Sequence, residues 1–150
     1  MTYPHCIRLR GPWTFQVLHD ARPASSPPLP LEGKVHMPCT WDDLLGANFW
    51  GRIQLQRRFH RPGTLESFES VWLVLSNSEL FSSPELNGQG LASTLPNEFE
   101  ITHLLETHNQ LTLEVEQLAP VASDEPGQPF QPNRLLGEVW LEIRLREANA

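Results

Sequence analysis

The sequence is poor in lysine and in long apolar runs. Lys34 is the only lysine among 150 residues, and the formal net charge is −7. An acidic chain of this kind is a poor partner for nucleic acid or an anionic membrane surface, because both carry negative charge. No apolar run approaches the roughly 18 residues that a membrane-spanning helix needs. We therefore predict that neither nucleic acid nor a membrane is a partner.

Signals for export, for a disulfide framework and for a metal centre are also missing. The first residues contain no basic segment followed by an apolar run, so no signal peptide is expected and a cytoplasmic location is predicted. Cys6 and Cys39 have no Cys-x-x-Cys spacing. We expect both to be reduced and partly buried, with a bond between them as the alternative. The six histidines are scattered and no pair has metal-site spacing backed by a carboxylate, so no metal or other cofactor is predicted.

Catalytic signatures are absent from the sequence. It contains no Gly-x-Ser-x-Gly motif, phosphate loop or dinucleotide fingerprint. Glycoside hydrolysis uses two carboxyl groups across a cleft, and alternating carboxylates do occur at Glu98 and Glu100 and at Glu114 and Glu116. These positions fall on the polar side of predicted strands, where a carboxylate is simply hydrated. We predict no catalytic residue and no enzyme.

What the chain does contain indicates short strands joined by turns. Fourteen prolines and nine glycines punctuate the sequence, and 39% hydrophobic residues suffice for a core. No window shows a convincing helical period. Alternation and short apolar runs predict strands in a single all-β domain, 1–150. The predicted strands cover residues 6–10, 13–18, 34–38, 51–62, 71–75, the hairpin 79–88 with its return 89–95, 99–101, 111–116 and 137–145.

Three local features stand between these strands. Asn87 and Gly88 give the strongest hairpin signal, because both residues tolerate the positive φ of a tight primed turn. Residues 102–105 are predicted to form one helical turn capped by the Thr102 hydroxyl. The proline-rich segment 117–136 is a long irregular stretch, of a kind that is often functional or mobile.

Arg57, Arg58 and Arg61 form a small basic cluster at the end of the predicted strand 51–62. Alternation along a strand places Arg57 and Arg58 on opposite faces. We interpret the three side chains as solvated or carboxylate-paired rather than as an anion site.

Five segments occur in an order that resembles a known domain. They are residues 9–15 with Gly, Trp and Phe, residues 38–41 with Pro-x-x-Trp, residues 51–62 with Gly, a strand, Arg-Phe and Pro, residues 86–115, and residues 137–145. In this order they resemble the N-terminal sugar-binding domain of family 2 glycoside hydrolases, the group of the β-galactosidases, β-glucuronidases and β-mannosidases. The resemblance implies a jelly-roll β-sandwich of the galactose-binding-domain-like type, with roughly eight or nine strands. Family enzymes continue into an immunoglobulin-like domain and a catalytic barrel, so it implies a stand-alone, non-catalytic module.

A carbohydrate site in such a module usually needs an exposed aromatic ring beside hydrogen-bonding groups. Trp13, Trp72 and Trp140 lie in predicted strands and are expected in the core, whereas two other tryptophans bracket the loop 44–50. The predicted carbohydrate-binding residues are Trp41, Asp42, Asn48, Trp50 and Arg52, with Phe49 in the same loop. After the hairpin, the His-x-Gly-Gly-Tyr-type loop of the family is replaced by residues 89–96, which are shorter and lack the aromatic. No sugar contact is therefore carried over to them.

Three functions are compatible with this sequence. The favoured one is a carbohydrate-binding module that takes an oligosaccharide or glycoside. The alternative is a structural or protein-interaction sandwich that has lost the sugar site. A third is assembly with a separate glycosidase chain. Fold alone does not choose among them.

Overall fold

The chain folds into two antiparallel sheets that pack face to face. The computed structural model describes residues 3–45, 49–76, 81–92, 95–117 and 136–146. Within them the strands are β1 (His5–Arg8), β2 (Trp13–Asp20), β3 (Glu32–Val35), β4 (Gly51–His60), β5 (Glu69–Leu75), β6 (Phe81–Leu86), β7 (Gln89–Gly90), β8 (Glu98–Glu100), β9 (His108–Gln117) and β10 (Val139–Leu145). One short helix, α1 (Trp41–Leu45), and one 3-10 turn, Thr102–Leu104, complete the described elements. The fold is an all-β jelly-roll sandwich, as predicted.

The sheets contain four and six strands. The four-stranded sheet has the order β1-β10-β5-β8, and the six-stranded sheet has the order β3-β2-β4-β9-β6-β7. The longest strand pairing among the described residues joins β4 to β9 over ten residue pairs. These two strands occupy the middle of the six-stranded sheet. No helix in the described ranges has the length or hydropathy that crossing a bilayer requires.

The core lies between the sheets because apolar residues alternate along each strand. On β4, Ile53 and Leu55 are fully buried, and on β9 the same is true of Leu111, Leu113 and Val115. The intervening residues point away from the core, since successive side chains of a strand point to opposite faces. The half-buried strands predicted for 51–62 and 111–116 are confirmed.

Of the three tryptophans predicted to lie in the core, one does and two do not. Trp13 is fully buried, and its indole N–H donates to the Leu9 carbonyl over 2.7 Å. Trp72 and Trp140 are half-buried on the outer face of the four-stranded sheet. Leu73 and Leu141, the next residues along β5 and β10, take the inward positions. Short apolar runs hide this alternation, which is why both tryptophans resemble core residues in the sequence.

The turn at Asn87 and Gly88 is confirmed, whereas the predicted cap is not. Asn87 and Gly88 have φ values of 54° and 82°, as a primed hairpin turn requires. The 3-10 turn Thr102–Leu104 is present, but no side chain caps it. Instead, the Thr102 hydroxyl accepts the Val71 N–H over 2.8 Å and donates to Glu100 over 3.0 Å. The hydroxyl therefore ties the turn to β5 rather than to its own backbone.

The remaining expectations concern cysteines and the long segment. Cys6 and Cys39 are both free thiols, so the disulfide alternative is wrong. Cys6 is exposed and Cys39 is buried, which corrects the expectation that both are partly buried. Residues 118–135 of the predicted irregular segment lie outside the described residues. At its end, Leu136 is buried and its N–H donates to the Cys39 carbonyl over 2.8 Å.

Candidate functional site

The loop that carries the predicted site begins with a helical turn. Thr40 and Asp43 form a reciprocal capping box: the Asp43 N–H donates to Thr40 Oγ1 over 3.3 Å, and the Thr40 N–H donates to Asp43 Oδ2 over 2.9 Å. The bond from the Thr40 N–H holds the pKa of Asp43 below its usual value. Leu44 and Leu45 are buried and anchor α1 to the core. The Thr40-x-x-Asp43 spacing was the sequence signal for this helix.

The structure describes the side chains of two of the five predicted binding residues. Trp41 and Asp42 are the first residues of α1, but their side-chain placement, like all of Asn48, lies outside the described part. Trp50 is half-buried, and its carbonyl accepts the Ala21 N–H over 2.9 Å. Arg52 is exposed near the start of β4. The predicted site remains a prediction.

Phe49 does not belong to an exposed platform in this loop. Its side chain is only 1% exposed, and the Arg22 guanidinium lies 5.9 Å from the ring centroid. Gly51 follows with φ 144°, and a Cβ there would lie 2.0 Å from the His19 carbonyl oxygen. A glycine at this position lets the chain turn from the buried Phe49 into β4.

A second and larger group of polar side chains lies on the outer face of the six-stranded sheet. The outward positions of β4 and β9 carry amide, hydroxyl, guanidinium and imidazole groups, and we call this surface the polar face. It comprises Gln54, Gln56, Arg58 and His60 on β4 and His108, Gln110 and Thr112 on β9.

The register brings these groups together in rows. Gln56 pairs with Thr112, and Arg58 pairs with Gln110. His60 pairs with His108, and the two imidazole rings meet edge to face with centroids 4.8 Å apart. Directly paired Cβ atoms lie about 5 Å apart, so one small ligand can touch several of these residues.

The polar face forms one wall of a cavity of about 1110 Å³, which we call the polar cavity. It lies where β4 ends and β9 begins, and it continues around the end of the sandwich. Other walls come from β1, from the turn after β6 and from the segment before β9. The lining residues beyond the polar face are Ile7, Arg8, Leu9, Arg57, Phe59, Glu85, Asn87, Gly88, Glu106 and Asn109.

Asn109 fixes three segments that line this cavity. Its Nδ2 donates to the carbonyls of Glu106 over 2.9 Å and Phe59 over 3.4 Å. Its Oδ1 accepts the Glu106 N–H over 2.8 Å and the Asn87 amide over 3.1 Å. Every donor and acceptor of this 3% exposed side chain is therefore used.

Asn87 extends the same network into the hairpin turn. Its backbone N–H donates to the Gln110 carbonyl over 2.9 Å, and its Oδ1 accepts the Gln110 N–H over 2.8 Å. Its Nδ2 also lies 3.3 Å from the Leu104 carbonyl. Asn87 therefore acts as a turn residue, as predicted, and it holds the turn at the mouth of the cavity.

Arg57 and Arg58 both line the polar cavity, although they alternate along β4. The cavity wraps around the end of the sheet and so reaches both faces. Among the described residues, the ion pairs involve Arg22 with Asp20, and Arg144 with Glu98 and Glu142. The cluster at the end of β4 is therefore not paired with any carboxylate of the described residues. In addition, Arg57 Nε is buried without a hydrogen-bond partner.

The outer face of the four-stranded sheet is organised differently. Arg144 lies 4.6 Å from the Trp72 ring centroid and pairs with both Glu98 and Glu142. The Trp140 indole N–H donates to Glu142 over 2.7 Å. Glu98, one of the carboxylates considered for catalysis, is thus engaged by a guanidinium.

The residues of the polar cavity leave a pattern in the sequence, but that pattern alone does not indicate a site. Polar residues alternate from 54 to 60 and from 108 to 112, a pattern that also marks any solvated strand face. Only the pairing of β4 with β9 shows that the two polar rows are adjacent. Among the described residues, no group of three His, Cys, Asp or Glu side chains is placed to bind a metal ion.

This chain is similar to known proteins in structure rather than in sequence. No family model matches the sequence, and no curated protein matches it. Solved structures do match. A β-glucuronidase from an uncultured Clostridium species is 19% identical with a TM-score of 0.64, over 97% of this chain and 31% of that chain. A putative β-galactosidase from Bacteroides fragilis is 16% identical with a TM-score of 0.58, over 93% and 23%.

A rhamnosidase from Novosphingobium sp. PP1Y is 16% identical with a TM-score of 0.64, over 96% of this chain and 16% of that chain. Across the similar structures, the chain spans 16–31% of their length. The similarity therefore concerns one domain of much larger glycosidases. The chain has the β-sandwich fold found in family 2 glycoside hydrolases, in agreement with the resemblance of its sequence segments.

Proposed function

We propose that this chain is a non-catalytic carbohydrate-binding domain whose ligand lies in the polar cavity. The observation that carries the proposal is the cavity itself, which has a volume of about 1110 Å³. Ligand sites are typically concave and occupy roughly 300–1,000 Å³. The volume is therefore sufficient for a saccharide of more than one ring.

The chemistry of the lining suits a ligand rich in hydroxyl groups. A hydroxyl both donates and accepts a hydrogen bond, and the amides of Gln56 and Gln110 do the same. Imidazole and guanidinium groups add further donors. Because these side chains stand on the central strands of a sheet, little backbone freedom is lost when a ligand binds.

Similarity to glycosidases supports a carbohydrate ligand but does not select one. The similar enzymes include a β-glucuronidase, a putative β-galactosidase and a rhamnosidase. Those substrates belong to the whole enzymes, of which this chain spans a small part. The proposal therefore depends on the cavity, with the fold as support.

The predicted loop site is a second position on the same sheet. Arg52 and His60 lie near opposite ends of β4. At roughly 3.3 Å per residue, they are about 26 Å apart. A ligand at Trp50 and Arg52 therefore contacts different residues from a ligand beside His60, and substitutions at these two ends can separate the two positions, although Gln54 of the polar cavity lies only two residues from Arg52.

Isothermal titration calorimetry against a set of soluble oligosaccharides tests the proposal. Gln56→Ala removes an amide from the cavity, and the matched control Gln16→Ala removes one from exposed β2 outside it. We expect Gln56→Ala to weaken binding by about two- to tenfold, the value of one hydrogen bond, and Gln16→Ala to have no effect. If Trp50→Ala abolishes binding and Gln56→Ala does not, the ligand binds at the loop instead. Absence of binding by the folded protein to any saccharide would refute the proposal.

A second candidate function is protein interaction through the outer face of the four-stranded sheet. Trp72, Trp140 and Arg144 lie there, and these residue types are enriched at interfaces. Sedimentation velocity with a glycosidase chain, comparing the wild type with Trp140→Ser, tests this role. A complex formed equally well by both proteins would exclude the face.

A further inference from the structure

The polar cavity is lined by both basic and acidic side chains. Arg57 and Arg58 on β4 and Arg8 on β1 supply its guanidinium groups, whereas its carboxylates are those of Glu85 on β6 and Glu106 before β9. Strand β9 lies between β4 and β6. Neighbouring strands are about 4.8 Å apart, so Glu85 and Arg58 stand on strands separated by about 10 Å. In the described part of the chain, no ion pair joins a carboxylate of the cavity to these arginines.

The arginines of the cavity retain unused binding capacity. In the described part of the chain, neither Arg57 nor Arg58 forms an ion pair with a carboxylate. Arg57 donates through Nη1 to the Arg58 carbonyl, while its Nε is buried and unpartnered. A buried donor without a partner is rare in a native protein, and a functional role is one recurrent reason for it.

Arg144 shows how a half-buried guanidinium is paired elsewhere in the described part of the chain. Arg144 is also half-buried, but it is paired with Glu98 and Glu142. A partly buried guanidinium gains most from an oxyanion that accepts two parallel hydrogen bonds. At Arg57 and Arg58 no described group of the chain supplies that oxyanion, although the chain as a whole carries a net charge of −7.

We propose that the ligand of the polar cavity is an anionic saccharide, one that carries a carboxylate or a sulfate group. Its anionic group lies against Arg57 and Arg58, and its neutral hydroxyls lie over Gln56 and Thr112 toward Glu85. This inference rests on the proposed carbohydrate-binding function and adds the charge class of the ligand. It also replaces the interpretation of the arginine cluster as simply solvated.

The test is a calorimetric titration with three disaccharides that share one linkage. One is neutral, one ends in a uronic acid and one carries a sulfate ester. We expect an anionic member to bind at least about tenfold more tightly than the neutral one, the value of one charge-assisted hydrogen bond. The uronic acid and sulfate arms identify which anionic group the site prefers.

Two charge-neutralising variants locate the effect. Arg58→Gln removes a guanidinium from the half-buried cavity wall. Arg61→Gln makes the same charge change at an exposed arginine that does not line the cavity. We expect Arg58→Gln to abolish the preference for the anionic disaccharide and Arg61→Gln to retain it.

The outcomes separate the two proposals. Equal affinity for the neutral and anionic disaccharides would overturn the anionic inference and leave carbohydrate binding intact. An equal loss in Arg58→Gln and Arg61→Gln would also overturn it, because the preference would then reflect overall charge. Failure of all three disaccharides to bind the folded protein would count against both proposals.

Discussion

Replacing Asn109 with alanine should destabilise the domain more than the loss of one small side chain suggests. The side chain makes four hydrogen bonds that join β4, the segment before β9 and the turn after β6. Asn109→Ala removes all of them at a position that is 3% exposed. The backbone groups of Glu106 then lose their partners within the chain.

The magnitude follows from the net value of a hydrogen bond. Four bonds at about 0.5–1.5 kcal/mol each give an upper range of about 2–6 kcal/mol. Glu106 and Asn87 are exposed, so water replaces part of what is lost. We therefore expect the free energy of unfolding to fall by about 2–3 kcal/mol, which corresponds to a decrease in Tm of about 4–12 °C for a chain of this length.

Urea denaturation followed by circular dichroism measures this change. Gln110→Ala is the matched control, because it removes an amide from the next residue on the opposite face. That variant should change the free energy of unfolding by less than about 0.5 kcal/mol. If Asn109→Ala proves no more destabilising than Gln110→Ala, the network does not hold this end of the sandwich together.

Asn87 provides an independent test of the same network. Asn87→Gly keeps the positive φ accessible and removes only the side-chain bonds, whereas Asn87→Ala adds a strain of about 1–2 kcal/mol. In a double-mutant cycle, Asn87→Gly and Asn109→Ala should couple by at least about 0.5 kcal/mol, since the two amides contact each other. Additive effects would show that the contact does not contribute.

Two further predictions concern titratable groups. The Glu66 N–H and the Tyr3 hydroxyl donate to Glu69 and hold its pKa below the usual 4.5. This stabilisation is present above that value and is lost as pH falls through the lowered pKa, so in Glu69→Gln the free energy of unfolding should depend less on pH in acid. If urea denaturation shows the same loss of unfolding free energy in acid for Glu69→Gln and the wild type, this expectation is contradicted. Burial raises the pKa of the Cys39 thiol to about 12, while Cys6 is exposed. A thiol reagent should therefore modify Cys6 in the native protein and Cys39 only after unfolding, and rapid native labelling in a Cys6→Ser variant would contradict the burial.

The sequence predicted the fold well because fold depends on patterns within one strand. Ile53, Leu55, Leu111 and Leu113 alternate with polar residues, and on these two strands the alternation indicates which face is buried. The turn at Asn87 was equally local, because only a few residues tolerate positive φ. Such features need no knowledge of which strands become neighbours.

The candidate site was hard to predict because it depends on pairing between distant segments. Gln56 and Thr112 are far apart in sequence and become neighbours only through the register of β4 with β9. Trp72 illustrates the reverse error: it lies among apolar residues in sequence, yet it faces outward beneath the Arg144 guanidinium. In a half-buried strand, side-chain chemistry alone does not define the face.

The two outer faces also differ in how much binding capacity they retain. On the four-stranded sheet, Arg144 is paired with two carboxylates, and the indole N–H groups of Trp72 and Trp140 already donate to Ser70 and Glu142. A polar ligand there must displace bonds that exist. In the polar cavity the guanidinium groups have no carboxylate partner among the described residues, so a polar ligand displaces water there rather than an ion pair.

This difference leads to a prediction about detection. Trp13, Trp50, Trp72 and Trp140 do not line the polar cavity. A saccharide bound there should therefore give a calorimetric signal without a change in tryptophan fluorescence, provided that Trp41 is first replaced by phenylalanine. A ligand at the loop site should change the fluorescence through Trp50, and Trp50→Phe should remove that change. In a chain that carries both Trp41→Phe and Trp50→Phe, fluorescence quenching at concentrations that saturate the calorimetric signal, if it is unchanged by Gln56→Ala, would place the ligand at neither site and would refute the assignment of binding to the polar cavity.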